Sequence, residues 1–539
     1  MSGTSEYATL DATEHMVADK AAEEVEVVTC GGREDSTPAN LAEEVPEIRD
    51  ESGIVERVRI LFSFASPVIV SFFLSFCGNF INLIFCGHFV PSKAGPTAAQ
   101  VFAGVSLANM YANVTFLSII VGLSGSVETL GSQQNGAKNY KEVGLVLQRS
   151  VFLLLIVCLP CYLTWRYATP LFILMKVEPM VCKVIGDYLA IRAFEMPMST
   201  ITVSMEKYLS SIQVYSPSLY AETHFNISLI SLNLLFIYGG FDFGYLGLGY
   251  AWVLSKAAAL CTVIAMAWHE PAVQRTMQPI NFQEILVYKK LYEFISLGIP
   301  GMLMLLSEWW AYEILSIFAG LLGTVQVAAQ TIILSTAALA YMVPLGLGIA
   351  TASLVGNSIG AGKKNLAIEI AHLSIQCITA LEFFIGVLIF FFGEYFVRLF
   401  TDDKVVLAEA KSIMGFLAIF VLIDGLNAVC GGVLRGTGKQ NLGAVTNIIA
   451  YYFVGLPCAW ALTFTYGWGV VGLMCGLSTG TFLQSVTMVS LITLFPGYVF
   501  TSALVPNSGE CSNNSSTGPS SLPGKSFVIE GTNDDDDDV

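Results

Sequence analysis

Charge is scarce in this 539-residue sequence: 13% of its residues are Asp, Glu, Lys or Arg, about half the share of an ordinary soluble chain. With 54% hydrophobic residues and a mean hydropathy of +0.65, that scarcity excludes a soluble protein. Histidine is scarcer still, and the five present (15, 88, 224, 269 and 372) fall at no metal-ligand spacing. HExxH and P-loop patterns are missing. The residues thus offer no metal, no cofactor and no enzyme chemistry, and any transport must draw on an ion gradient. Twelve cysteines are scattered along the chain with one CxxC, Cys158 to Cys161, inside an apolar run. That pattern reads as reduced thiols rather than a disulfide framework or a zinc site. The first fifty residues, polar and acidic, form no signal peptide, so membrane insertion is expected to begin at the first apolar run.

The net negative charge lies at the ends. Residues 1–53 hold 14 acidic against three basic residues and residues 497–539 hold seven against one, leaving 22 basic and 21 acidic residues in between. The acidic pI therefore describes the tails and points to no nucleic-acid partner.

Between the tails, apolar segments recur at the length of about 20 residues needed to cross a bilayer. Twelve are expected: 60–89, 97–130, 143–165, 184–212, 216–238, 246–268, 291–321, 327–357, 368–393, 407–436, 441–464 and 468–495. No ten-residue alternating segments of a β-barrel occur. Lys138, Lys141, Arg149, Arg275, Lys289, Lys290, Lys363, Lys364, Arg435 and Lys439 fall at every second connection, together with Arg49, Arg57 and Arg59 before the first segment. The positive-inside rule then puts both termini in the cytoplasm.

The twelve segments read as two copies of one six-helix unit. Pro67 and Gly87 correspond to Pro300 and Gly320, Ala98-Ala99-Gln100 to Ala328-Ala329-Gln330, the turn GAKN (136–139) to GKKN (362–365), and Gly244/Gly247 to Gly469/Gly472, all at a nearly constant offset along the chain. Four landmarks in order indicate a duplication, and six helices per copy make it a parallel repeat, as in transporters whose substrate path lies between the halves. The expected organisation is an acidic disordered tail (1–53), an N-lobe (54–268), a polar cytoplasmic linker (269–290), a C-lobe (291–496) and a second disordered tail (497–539). That second tail ends in DDDDDV, read as solvated acid, and its sequons at Asn513 and Asn514 are expected to stay unmodified in the cytoplasm.

An ionisable residue deep in a spanning helix marks function by default. Glu308 and Glu313 lie well inside the seventh segment, about 7.5 Å apart along the axis and on different faces, and Asp424 lies near the middle of the tenth. A carboxyl among apolar groups can exchange a proton reversibly, as a proton carrier must. Trp309, Trp310 and Tyr312 flank the glutamates; they fit an interfacial belt or, with the acids, a pocket for a bulky organic cation held by charge and cation–π contact. The first copy has amides instead: Asn79, Asn82, Asn109, Asn113, Asn226 and Asn233 either line a polar cavity or clip helices together. Glu195, halfway along the fourth segment, is a further candidate. Glu128 and Glu206 read as solvated acids near helix ends. Pro67, Pro300, Gly346 and Gly348 are expected to let helices bend.

The segments SEWWAYE (307–313), YMVPLGLGIATASLVGNSIGAGKKN (341–365), GGVLRGTGKQNLGAVTNIIAYYFVGLP (431–457) and SVETLGSQQNGAKN (126–139) resemble the multidrug and toxic compound extrusion (MATE) family, eukaryotic branch, over residues 57–496. The resemblance implies an all-α integral membrane protein, twelve transmembrane helices in two six-helix lobes of the MOP-type fold, exchanging protons or sodium for organic cations. It implies that Glu308 and Glu313 are the acids of helix 7 and Asp424 that of helix 10, where relatives more often have Glu. Ser335 stands where related exporters often have Glu, and no acid occupies the first helix between Ser63 and His88. Coupling is therefore expected in the second lobe, with Glu195 as a substitute in the first.

The expected function is export of organic cations, xenobiotics or metabolites in exchange for protons by alternating access. The expected partners are organic cations, protons and the lipid bilayer, for a monomer in the plasma membrane or a vacuolar or endosomal membrane. Sodium coupling and a lipid or lipid-linked precursor flippase are the alternatives. A flippase would want a basic central cavity, whereas the deep basic residues are Lys256 and Arg192, against three deep acids.

Overall fold

The computed structural model describes residues 53–88, 95–238, 243–398 and 403–500. The expectations for both acidic tails, the terminal DDDDDV and the two sequons fall outside the described residues, save for residue 53 and residues 497–500.

Among the described residues there is no strand. The long helices, in chain order, are α1 (Ile54–Gly87), α2 (Ala98–Gly136), α3 (Tyr140–Arg166), a two-piece α4 (Pro179–Arg192 and Glu195–Ser211), α5 (Ser216–Asn233), α6 (Leu246–Trp268), α7 (Tyr288–Leu322), α8 (Thr324–Gly360), α9 (Lys364–Arg398), α10 (Lys404–Thr437), α11 (Gln440–Thr465) and α12 (Gly469–Leu494). Ten of them are long and apolar enough to cross a membrane. The other two expected spans, α4 and α5, are helical but fall short for physical reasons. Pro197 lacks the N–H that would bond back to Ala193, and α4 breaks there. In α5, eighteen residues long, Glu222, His224 and Asn226 dilute the apolar run, which continues to Tyr238 only through a wider π turn. A π turn also closes α11 (Ala461–Thr465), and another interrupts α2 at Asn113–Leu117.

Helix ends differ from the expected spans. α1 begins at Ile54, ahead of the apolar run, and α7 begins at Tyr288, inside the expected linker. Apolarity marks only the stretch in lipid, whereas backbone hydrogen bonding continues beyond it through polar residues. The rest of 269–290 is pinned to α3. Gln148 donates to the Gln278 carbonyl at 2.8 Å and Arg149 to that of Glu284 at 3.1 Å. The Lys141 ammonium lies 2.9 Å from the Glu284 carboxylate and holds its pKa below the usual carboxylate value.

Four glycines set how the two halves meet. A Cβ on Gly122 of α2 would strike the backbone of Met302 in α7, and one on Gly346 of α8 would strike the backbone of Ile69 in α1. Closer to the basic connections, a Cβ on Gly136 would strike the Asn357 carbonyl and one on Gly360 the Gln133 carbonyl. Each contact has its counterpart with the roles of the two halves exchanged, which is the signature of a pseudo-two-fold relation. Gly346 thus serves close approach. Gly348 does likewise, since a Cβ there would lie 2.6 Å from the Ala428 carbonyl oxygen of α10. Pro67 and Pro300 both lie inside continuous helices.

Candidate functional site

The acids of the second half come together. Glu308 lies deep in α7 counted from Tyr288, Asp424 deep in α10 counted back from Thr437, and Glu382 midway along α9 counted from Lys364. At about 1.5 Å per residue all three sit about 20–30 Å from the helix ends that carry the basic connections. Tyr341 of α8 donates its hydroxyl to Glu308 Oε1 at 3.3 Å, and the Tyr312 hydroxyl lies 3.5 Å from Asp424 Oδ1. Tyr451 of α11 packs its ring 6.4 Å from that of Tyr312 and is buried. Asp424 is 6% exposed, while Glu308 and Tyr312 are half-buried. Neither Glu308 nor Asp424 has an ion-pair partner among the described residues. Their hydrogen-bond partners are tyrosine hydroxyls, which can bond a carboxyl in either protonation state.

One turn from Asp424 a chain of amides fixes this geometry. Asn427 donates to Gln484 at 3.1 Å, Gln484 to Asn447 at 2.8 Å, and Asn447 to the Met304 carbonyl at 2.9 Å, tying α10, α12, α11 and α7. Left unpaired, such groups would be costly in a low-dielectric interior, so the network specifies one arrangement of the helices that carry the acids.

Other expected residues lie elsewhere. Glu313 is half-buried without a hydrogen-bond or ion-pair partner among the described residues, Trp309 is half-buried and Trp310 is 44% exposed. Ser335 lines a separate apolar cleft of about 280 Å³ with Leu339, facing Phe76, Phe80 and Ile84 of α1. Asn79 on the same helix is exposed.

In the first half, Glu195 is not a free acid. It accepts from Arg192 Nε at 3.0 Å and from the Trp252 indole N–H, while Arg192 also donates to Asn109 and lies 4.6 Å over the Trp252 ring. Asn82 donates to the Tyr188 hydroxyl at 2.9 Å, and Asn226 donates to the Leu74 carbonyl of α1 at 2.9 Å. These three amides therefore clip helices, while Asn233 is buried with no partner for its amide among the described residues and half-buried Asn113 opens the α2 π turn.

Glu128 corrects the reading of a solvated acid. It is fully buried, 3.1 Å from Lys207 Nζ and 3.4 Å from Arg435 Nε of the opposite half. Around it the halves are joined by Thr129 donating to the Arg435 carbonyl at 2.6 Å, Asn135 to Asn357 at 2.7 Å and Ser353 to the Ser210 carbonyl at 2.6 Å. Glu206 is half-buried beside Glu222 and Lys256 rather than free in water.

Sequence reasoning missed Glu382, Tyr341, Tyr451 and the amide chain. Glu382 lay within reach, since it interrupts the apolar run 368–393, and the amides obey the same pattern that singled out those of the first half. Nothing local marks the tyrosines, which meet the acids only through packing.

The MatE family model matches the chain twice, over residues 67–238 and 300–461, one match in each half and together more than half its length. Mouse multidrug and toxin extrusion protein 2 is 32% identical over 435 residues, 80% of this chain and 72% of that protein. Human multidrug and toxin extrusion protein 1 is 31% identical over 441 residues, 82% of this chain and 75% of that protein. Among solved structures, the eukaryotic MATE transporter AtDTX14 superimposes with a TM-score of 0.76 at 24% identity, covering 82% of this chain and 97% of that one. An outward-facing multidrug resistance MATE transporter gives 0.72 at 17% identity, covering 83% and 97%. The double match, the level of identity and the all-helical architecture agree: the chain belongs to the MATE family of multi-pass membrane transporters and is not an enzyme.

Proposed function

We propose that the protein exports organic cations in exchange for protons by alternating access, with Glu308 and Asp424 as the groups for which substrate and proton compete. The observation that carries this reading is the contrast in partners. Glu195 and Glu128, also in spanning helices, are ion-paired with Arg192, Lys207 and Arg435, whereas Glu308 and Asp424 form no ion pair among the described residues and have tyrosine hydroxyls as their hydrogen-bond partners. An unpaired carboxylate at that depth invites a cation or a proton. The rings of Tyr312 and Tyr451 beside it suit the faces of an organic cation.

If the basic connections lie in the cytoplasm, the inter-lobe contacts around Glu128 close the cytoplasmic end, as an outward-facing state of the cycle requires. Protons entering from outside neutralise the acids and release the cation; the lobes rock, the protons leave to the cytoplasm, and the regenerated carboxylates bind the next cation. Each ligand lowers the affinity for the other.

Proteoliposomes with an imposed pH gradient test this. Uptake of a fluorescent organic cation is expected to follow the gradient in the wild type and to be lost in Glu308→Gln and Asp424→Asn. Uptake that ignores the pH gradient and follows sodium would contradict proton coupling, and no uptake of any cation would point to anionic or lipid substrates.

A further inference from the structure

Glu382 is fully buried in the middle of α9, and neither of its carboxyl oxygens has a hydrogen-bond partner among the described residues. A carboxylate ion in that position would have neither water nor a counter-ion to offset its charge, so the position suits an acid that carries its proton. It also touches the site already described. Gly425 follows Asp424 in α10, and a Cβ there would strike the Glu382 side chain, with Cδ at 2.9 Å and Oε1 at 3.2 Å. The carboxyl of Glu382 thus fills the notch that this glycine leaves, and the charges of Glu382 and Asp424 act on one another.

No other ionisable group among the described residues crowds it. α8, packed against α9, has Tyr341 as its sole titratable side chain. α1 has Cys77 and Cys86, and at its other end Glu56, Arg59 and Arg57, the last paired with Glu369. Glu369 is more than three helical turns, about 20 Å, from Glu382. On α10 the remaining charged groups, Lys404, Glu409, Lys411 and Arg435, and Cys430 are more than a turn from Asp424 on either side. On α9 itself Cys377 and His372 lie on one side and Glu394 on the other.

We propose that Glu382 is a third proton-binding site of the transport cycle, coupled to the cation through Asp424. The proposal rests on the proton-antiport reading above. Two neighbouring carboxyls resist being ionised together, so Glu382 keeps its proton while Asp424 is charged and free. A cation bound at Asp424 cancels that repulsion, and Glu382 then releases its proton. When protons displace the cation, Glu382 is protonated again, so each cation exported is exchanged for one proton more than Glu308 and Asp424 alone would supply.

The test is the stoichiometry in proteoliposomes with the membrane potential clamped at zero. The logarithm of the equilibrium cation ratio, plotted against the imposed pH difference, has the number of protons per cation as its slope. Glu382→Gln is expected to keep gradient-driven uptake of a fluorescent organic cation with a slope lower by one. An unchanged slope would overturn the proposal, because a side chain that merely packs alters rate or yield and not stoichiometry. A wild-type slope of zero would instead overturn the antiport reading, and this proposal with it. Should Glu382→Gln fail to fold, the wild-type protein decides: dicyclohexylcarbodiimide, which attacks protonated carboxyls in apolar sites, is expected to label Glu382, with labelling falling on addition of the cation. Labelling that is absent or indifferent to the cation would overturn the proposal.

Discussion

Glu195 and Asp424 are both buried carboxyls in mid-helix, and what separates them is company. Glu195 is locked to Arg192 and to the Trp252 indole, so removing its charge strands a guanidinium among aromatic rings, a loss of about 3–5 kcal/mol for a buried pair. Glu195→Gln is accordingly expected to lower the thermal unfolding midpoint in detergent, while Asp424→Asn leaves the midpoint near that of the wild type and abolishes transport. A Glu195→Gln protein as stable as the wild type but uncoupled would return this residue to the proton path. At this scale the sequence was informative about which residues are unusual and silent about how they are satisfied. A charge inside an apolar run marks Glu308, Asp424, Glu195 and, by the same rule, Glu382. Whether each is free or paired depends on neighbours from other helices. Arg192, just before Glu195 across the break in α4, is the one partner whose proximity could have been read from spacing.

Among the elements, α8 is held closely on two sides. Gly346 sits against the backbone of Ile69 in α1 and Gly348 against the Ala428 carbonyl in α10, so two glycines that sequence alone offers as bending points act as contact surfaces. Gly346→Val should cost about 1–3 kcal/mol by overpacking, seen as reduced folded yield or a lower unfolding midpoint. The same change at exposed Gly320, where a Cβ meets nothing within 4 Å, should cost less. Equal behaviour of the two variants would remove the close-contact role. Helix existence was legible throughout because a long apolar stretch in lipid has few alternatives. Helix ends were not, since backbone hydrogen bonding carries α1 and α7 past the apolar limit, and the break in α4 follows from a single proline.

At the scale of the whole molecule, the paired contacts Gly122 with Met302 and Gly346 with Ile69, and Gly136 with Asn357 and Gly360 with Gln133, are the spatial form of the repeat visible in the sequence. The joined end holds Glu128 between Lys207 and Arg435, and it must open if the lobes rock. In an Asn135→Cys/Asn357→Cys variant, oxidation is expected to crosslink the lobes and stop transport, and reduction to restore it. Transport by the crosslinked protein would mean that this end never parts. The central claim is that cation and proton compete for the same carboxyls, and the most direct measurement is proton release from purified, weakly buffered protein on addition of an organic cation. The account predicts release by the wild type that falls in Glu308→Gln and in Asp424→Asn; cation binding without release, or release undiminished in both variants, would contradict it.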